Sequence, residues 1–495
     1  MKRFALLVAL AFFGLCAFAP VLAHALEVEV LRQAGPADKR FNLVLLGDGY
    51  RASDQTQLSS DAKGLVDYVF GVSPFKEYAD FFNVSLIHVI SNQNGADNGV
   101  YGAQRDTALG SYFNCAGTQR LLCVDDAKVE MIAAATAPAF NFTVVIVNDT
   151  TYGGSGGSHP TTSINEQSFE IVAHEIAHSL AGLADEYDTE YPGYPLCSTK
   201  DDCNEANTTI RKTRAELKWR AWIADATPIP TPASNSYANA VGLFEGARYF
   251  STGVYRPTQI CKMRELGQPY CPVCTEQFVL SYWNFENIRM IEDASPQSPL
   301  KSDDCEPISL SVTTPKLSPS TYEFTWTVDG KANPESTAKL TLQPRVLEAG
   351  THSVSLLVKD KTNKVRTDPN RLLQDQHDWS LEVTTETCIA SAGGGMGAAG
   401  GMSAGGAGAG GGLSSIAGAT ARGGVPGLGG AGAGGTLGVA EAPTSVAGGP
   451  KLNPPPPENV SCNCTIVHLP ARRGYAALAL LALSAACARR RARSR

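Results

Sequence analysis

The sequence has no surplus of positive charge. Its 495 residues carry 41 lysines and arginines against 48 aspartates and glutamates, a formal net charge of −7 and a pI near 5.7. That balance argues against a general nucleic-acid binder. It also has no nucleotide-binding loop: the glycine run Gly153–Gly157 is not followed by Gly-Lys-Ser/Thr. The C-terminal apolar run is not long enough for a full membrane span. Gly474–Ala488 is 15 residues and ends in an arginine cluster. As a helix it would reach about 22 Å, short of a hydrocarbon core of about 30 Å. Only 18% of residues are charged, and nine of the 41 positive charges lie at the two ends. The central part is therefore more acidic than the total suggests.

The two ends read as addresses rather than fold. Residues 1–25 have the form of a secretory signal peptide: Lys2-Arg3, an apolar run from Phe4 to Phe18, and the small-x-small site Ala23-His24-Ala25. Residues 391–460 are a Gly/Ala/Pro-rich tract with almost no charge or aromatics, expected to be a flexible linker. Residues 461–495 combine Cys462 and Cys464, the apolar run and the terminal arginines. The arginines would stay on the cytoplasmic side and leave the body outside. This tail resembles the C-terminal sorting tails of myxobacterial surface proteins, which implies cutting near a cysteine and transfer to the outer envelope by sorting machinery. Export to the cell surface or medium is the expected location.

Cysteine usage agrees with an oxidising compartment. Of 13 cysteines, nine lie between residues 115 and 388. Cys115/Cys123 and Cys197/Cys203 are close enough for small disulfide loops, and Cys305 and Cys388 bracket one region. Cys261, Cys271 and Cys274 form an odd triplet. Redox or metal chemistry is an alternative for Cys271-Pro-Val-Cys274, but export favours structural disulfides.

The body divides near residue 300 into a catalytic part, 26–300, and a smaller part, 301–390. Residues 41–183 alternate strand and helix signals. Strands are expected at Phe41–Leu46, Asn83–Ile90 and Phe140–Val147, and helices at Ser53–Phe70, Val129–Ala135 and Ser168–Leu180, an α/β layering. From 184 to 296 periodicity fades and loops are expected. Beyond 305, Tyr322–Val328 and His352–Val358 alternate at period two, with turns at Asp329-Gly330 and Ala349-Gly350. These predict a small all-β sandwich, and their phrasing resembles Ig-like modules of extracellular enzymes.

The chemistry concentrates in His174-Glu175-Ile-Ala-His178. Two histidines four apart project from one helix face and can share one zinc ion. Glu175 is placed to take a proton from a water activated there. A catalytic zinc needs a third protein ligand. Gly182 can end the helix and turn the chain back, which brings forward Asp185 or Glu186. Metzincin peptidases use this device, and Asp185 keeps their Gly-x-x-ligand offset, so Asp185 is preferred. Of the remaining candidates, His88 reads as a core residue, His159 as cleft-lining or surface, and Tyr187 as packing or carbonyl-polarising.

The segment His174–Tyr187 resembles the active-site segment of the IgA-peptidase family of zinc metallopeptidases. Leu46-Gly-Asp-Gly-Tyr50, Asn148-Asp149 with Tyr152–Gly157, and Cys261-Lys-Met263 with Pro269–Cys274 match as well, so the likeness spans residues 41–285. It implies a metzincin-like α/β (α+β) catalytic domain with one zinc ion and hydrolysis of protein or peptide substrates. Met263 would be the methionine of a turn beneath the metal. Intact Glu175 speaks against the alternative, an inactive surface binding or adhesion protein on the same fold.

Overall fold

The computed structural model describes residues 26–98, 102–303 and 306–384. The leader 1–25, Cys305, Cys388, the 391–460 tract and the 461–495 tail lie outside the described residues.

The first part is built on one six-stranded sheet. Its strands are β1 (Val28–Arg32), β2 (Phe41–Asp48), β3 (Phe82–Ile87), β6 (Phe142–Val147), β7 (Gly154–Ser155) and β8 (Thr161–Ser163); β4 (Tyr112–Phe113) and β5 (Leu122–Cys123) form a separate small hairpin. The order is β1-β3-β2-β6-β8-β7. The four central strands are parallel, and β1 and β7 run antiparallel at the edges.

Strand β2 is buried along its whole length, as expected of a parallel strand covered on both faces. Its alternate residues face different cores. Leu43 and Leu45 meet Leu58, Ala62 and Leu65 of α1 (Gln55–Val69) and Val172 and Ile176 of α3 (Ser168–Ala181). Val44 and Leu46 meet Val129 of α2 (Asp126–Thr136) on the other face. Asp48, at the end of β2, is fully buried and holds the 91–111 loop by accepting from Ser91 Oγ, Leu109 N–H and Ser111 N–H at 2.8–3.1 Å.

Between residues 184 and 296 the sequence predicts loops, yet two further elements form. A hairpin pairs β9 (Phe244–Ala247) with β10 (Phe250–Arg256), and α4 (Pro272–Trp283) packs beside α3. Helix α4 carries no readable amphipathic period because it is buried nearly all round, through Val273, Cys274, Glu276, Phe278, Val279, Tyr282 and Trp283.

The remaining described residues are strand and loop, apart from one 3-10 turn at Pro344–Val346. One sheet is β11 (Asp293–Ser295), β13 (Ile308–Thr313) and β16 (Lys339–Leu342). The other contains β12 (Leu300–Ser302), β14 (Tyr322–Val328), β15 (Lys331–Ala332), β17 (Gly350–Asp360) and β18 (Gln374–Val383). Trp326 and Trp379 stack in the core at 5.4 Å. This part is not a loosely tethered appendage, since one apolar cluster runs through it and the helical part. Buried Asp360 ties the two by accepting from Tyr78 O–H (2.7 Å) and Trp283 Nε1–H (3.0 Å).

Candidate metal centre

Helix α3 carries His174 and His178 one turn apart, with their rings facing at 4.9 Å between centroids. The helix ends at Gly182, whose φ of +59° a side chain would resist. Its N–H bonds to the carbonyl of His178, closing the helix in the αL manner, and Leu183 N–H bonds to Ala177. The chain then reverses, and Asp185 arrives at the histidines. Asp185 Oδ1 lies 2.9 Å from His174 Nε2 and 3.4 Å from His178 Nε2, and the two Nε2 atoms are 3.2 Å apart.

Each ring is oriented from its far side. His174 Nδ1 faces the carbonyl of Lys262 at 3.0 Å, and His178 Nδ1 faces that of Leu183 at 2.7 Å. A carbonyl only accepts, so each Nδ1 holds a hydrogen, and each ring in its neutral form would present its Nε2 lone pair to a metal. Two imidazole lone pairs and a carboxylate oxygen thus converge on one point. Bonds of about 2.0–2.2 Å in a tetrahedral site give edges of about 3.3–3.6 Å; two of the separations, 3.2 and 3.4 Å, are close to these and the third, 2.9 Å, is shorter. These donors fit zinc.

The electrostatics ask for a cation. Burial works against a charged imidazole at His178, yet Asp185, with Glu175 behind it, outweighs burial and pushes it up to about 10. Burial would raise Asp185, but His178 and His174 hold its carboxyl far below the usual carboxylate range. Tyr249, in the β9–β10 turn, donates its O–H to Asp185 Oδ2 at 2.7 Å; burial and Asp185 raise its pKa and keep it a donor. Tyr187 stacks on His174 at 6.0 Å and 23°. Burial, then the charges of Asp185 and Glu175, raise the Tyr187 hydroxyl.

Glu175 lies against the glycine run. A Cβ on Gly156 would sit 2.3 Å from Glu175 Oε2, so glycine there leaves the room the carboxylate occupies.

The structure separates the two candidates for third ligand. Asp185 joins His174 and His178. Glu186, its neighbour, turns into a second buried group with Cys261, Cys271 and Cys274. Burial, with Cys271 adding to it, pushes Glu186 up to about 8. Met263 is fully buried in the turn after Cys261, and its carbonyl accepts from Glu186 N–H at 2.8 Å. His159 is buried against Thr143 and away from the histidine pair, not on the surface. His88 is buried and bridges Gln55 and Glu29. Cys115/Cys123 and Cys197/Cys203 are disulfides, while the expected disulfide chemistry of the triplet does not appear: all three remain thiols. Tyr249 and the Lys262 carbonyl have no signal in the sequence, because they reach the site from 64 and 88 residues away.

The family described as IgA Peptidase M64 matches residues 28–239, the stretch that runs from β1 past Asp185. No curated protein sequence matches the chain. Among solved structures, the endo-beta-1,4-mannanase from Thermotoga petrophila is similar at 10% identity over 70% of this chain and 65% of that one, with a TM-score of 0.14. The chain thus spans less than two thirds of that enzyme, and a likeness of that size carries no argument. Residues 28–239, with the HExxH helix and its glycine-reversed carboxylate inside them, are thus similar to the IgA-peptidase M64 family.

Proposed function

We propose that this chain is an exported, zinc-dependent endopeptidase. The observation that carries the reading is the convergence of His174 Nε2, His178 Nε2 and Asp185 Oδ1 within 3.4 Å of one another, with both imidazoles locked by backbone carbonyls. Zinc held by these three atoms would supply a Lewis acid that polarises the peptide carbonyl and acidifies the attacking water. Glu175 takes the proton of that water and passes it to the departing amine. Tyr249 fixes the second oxygen of Asp185, and Tyr187 braces the His174 ring. A binding protein without activity is the less favoured reading, because Gly156 leaves space for a general base that such a protein would not use.

The test is casein hydrolysis by the purified protein, with and without a zinc chelator, alongside Glu175→Gln. The amide cannot accept the proton, so turnover should fall by about 10²–10⁴-fold while zinc is retained. Near-normal turnover by a metal-loaded variant would refute the role of Glu175.

We assign the remaining segments in the same reading. Residues 1–25 direct export, 26–300 form the catalytic domain, and 301–390 form an Ig-like sandwich. The 391–460 linker and 461–495 tail hold the enzyme at the cell surface. A chain ending near Cys388 should keep its activity and appear in the medium. Cell-bound truncated protein would overturn the anchor.

A further inference from the structure

The second buried cluster has no part in this chemistry. Cys261 begins the turn that carries Lys262 and Met263. Cys271 caps α4, and Cys274 lies in its first turn. Glu186 reaches in from the segment that also delivers Asp185. Their four ligand atoms lie within 4.8 Å of one another, and no residue of the four is more than 4% exposed.

The spacing is that of a shared ion. Zinc bonds of about 2.3 Å to sulfur and about 2.0 Å to oxygen, at tetrahedral angles, give edges of about 3.8 Å between sulfurs and about 3.5 Å between sulfur and oxygen. Cys261 Sγ and Cys274 Sγ are 3.7 Å apart, and Cys274 Sγ lies 3.5 Å from Glu186 Oε1. A disulfide needs about 2.05 Å. The polar accounting agrees. Asn207 Nδ2 donates to Glu186 Oε1 at 2.9 Å, whereas the fully buried Oε2 has no hydrogen-bond partner. Backbone donors face two of the sulfurs: Cys271 N–H points at Cys261 Sγ (3.3 Å) and Cys274 N–H at Cys271 Sγ (3.4 Å). Both lie at the N-terminus of α4, where the helix dipole favours negative charge.

We propose that Cys261, Cys271, Cys274 and Glu186 bind a second, structural zinc ion. Three soft thiolates select a thiophilic cation such as zinc over calcium or magnesium. Four protein donors in a buried setting leave no open position, so this ion does no catalysis. It joins three segments. The turn at 261–264 supplies the carbonyls that bond His174 and Glu186 N–H. Helix α4 supports α3, and the 185–186 segment delivers Asp185. The second zinc is therefore a positioning device for the first, and it stands whether or not the first performs hydrolysis.

Cobalt substitution of the full chain tests this without a mutation. Thiolate-to-cobalt charge transfer gives strong near-ultraviolet absorption that a site of two histidines and an aspartate cannot produce. We expect that band in the cobalt-loaded protein, and Cys274→Ser should abolish it. We also expect about two zinc ions per chain as purified. His174→Ala should retain about one, with its three thiols shielded from a thiol reagent until the protein is unfolded. Should either variant fail to fold, the wild-type spectrum and thiol titration still decide. Cobalt-loaded protein lacking the charge-transfer band would overturn the proposal. So would a disulfide among Cys261, Cys271 and Cys274 in non-reducing peptide maps.

Discussion

Gly156→Ala should disable catalysis while leaving the fold and the metal in place. The added methyl would lie 2.3 Å from Glu175 Oε2, where ordinary contact begins at 3.4 Å. The carboxylate must therefore withdraw by about 1 Å. It can do so cheaply, being the free end of a flexible side chain, so the collision is relieved by moving the proposed general base rather than the backbone. A displacement of about 1 Å at a reacting group costs on the order of 10²-fold in rate. Gly156 is not in the left-handed region, so alanine adds no backbone strain. Stability should hold or rise by about 0.4–1 kcal/mol. Gly157→Ala is the matched control. Its φ is +113° and nothing lies within 4 Å of the new Cβ. It should cost about 1–3 kcal/mol of stability and spare kcat. The assays are kcat and KM on a peptide substrate, zinc content, and thermal unfolding. A Gly156→Ala enzyme with normal kcat would refute the argument, as would one whose lost activity tracks lost zinc.

Two further predictions concern the surroundings of the site. Tyr249→Phe removes the donor to Asp185 Oδ2 and should weaken zinc binding by about 10–100-fold, read by chelator competition, with little change in unfolding temperature once zinc is saturating. Burial depresses the pKa of His159 below 6.5, outweighing the pull of Asp126 and Glu130. Its neutral form therefore contributes stability that is present above pH 6.5 and lost as pH falls through its folded pKa. Urea midpoints between about pH 7.5 and about pH 5.5 should fall less in His159→Gln than in the parent protein. Equal slopes would dismiss His159 as a source of acid sensitivity.

How far the sequence could be read depended on whether a pattern was local. Strand β2 shows as an apolar run, and α1 shows through Leu58, Ala62, Leu65 and Val69, because each element has distinct surroundings on its faces. Helix α4 hides because burial on nearly every side removes the period. Hairpin β9–β10 hides because its turn places Arg248 and Tyr249 at positive φ, residue types that do not announce a left-handed turn. The same division holds at the site. His174 and His178 are legible because four residues make one helical turn. Tyr249 and the Lys262 carbonyl are illegible because tertiary structure alone brings them there.

The choice between Asp185 and Glu186 lies between these extremes. From sequence, adjacent carboxylates after a glycine are nearly equivalent, and only the offset from Gly182 favours the first. What separates them is the backbone on either side. Asn207 clamps Ala184 at both its N–H and its carbonyl, at 2.9 and 2.8 Å, and uses the same side-chain amide to hold Glu186 Oε1. Glu186 N–H is fixed to Met263. With residue 184 clamped by Asn207 and residue 186 held by Asn207 and Met263, Asp185 between them is left to face the histidines, where Tyr249 O–H donates to its second oxygen. One dipeptide thus serves two clusters, and the turn at 261–264 touches both through successive carbonyls, Lys262 to His174 and Met263 to Glu186. Loosening the cysteine cluster should therefore loosen the histidine cluster, because the turn at 261–264 and the 185–186 segment form the wall between them.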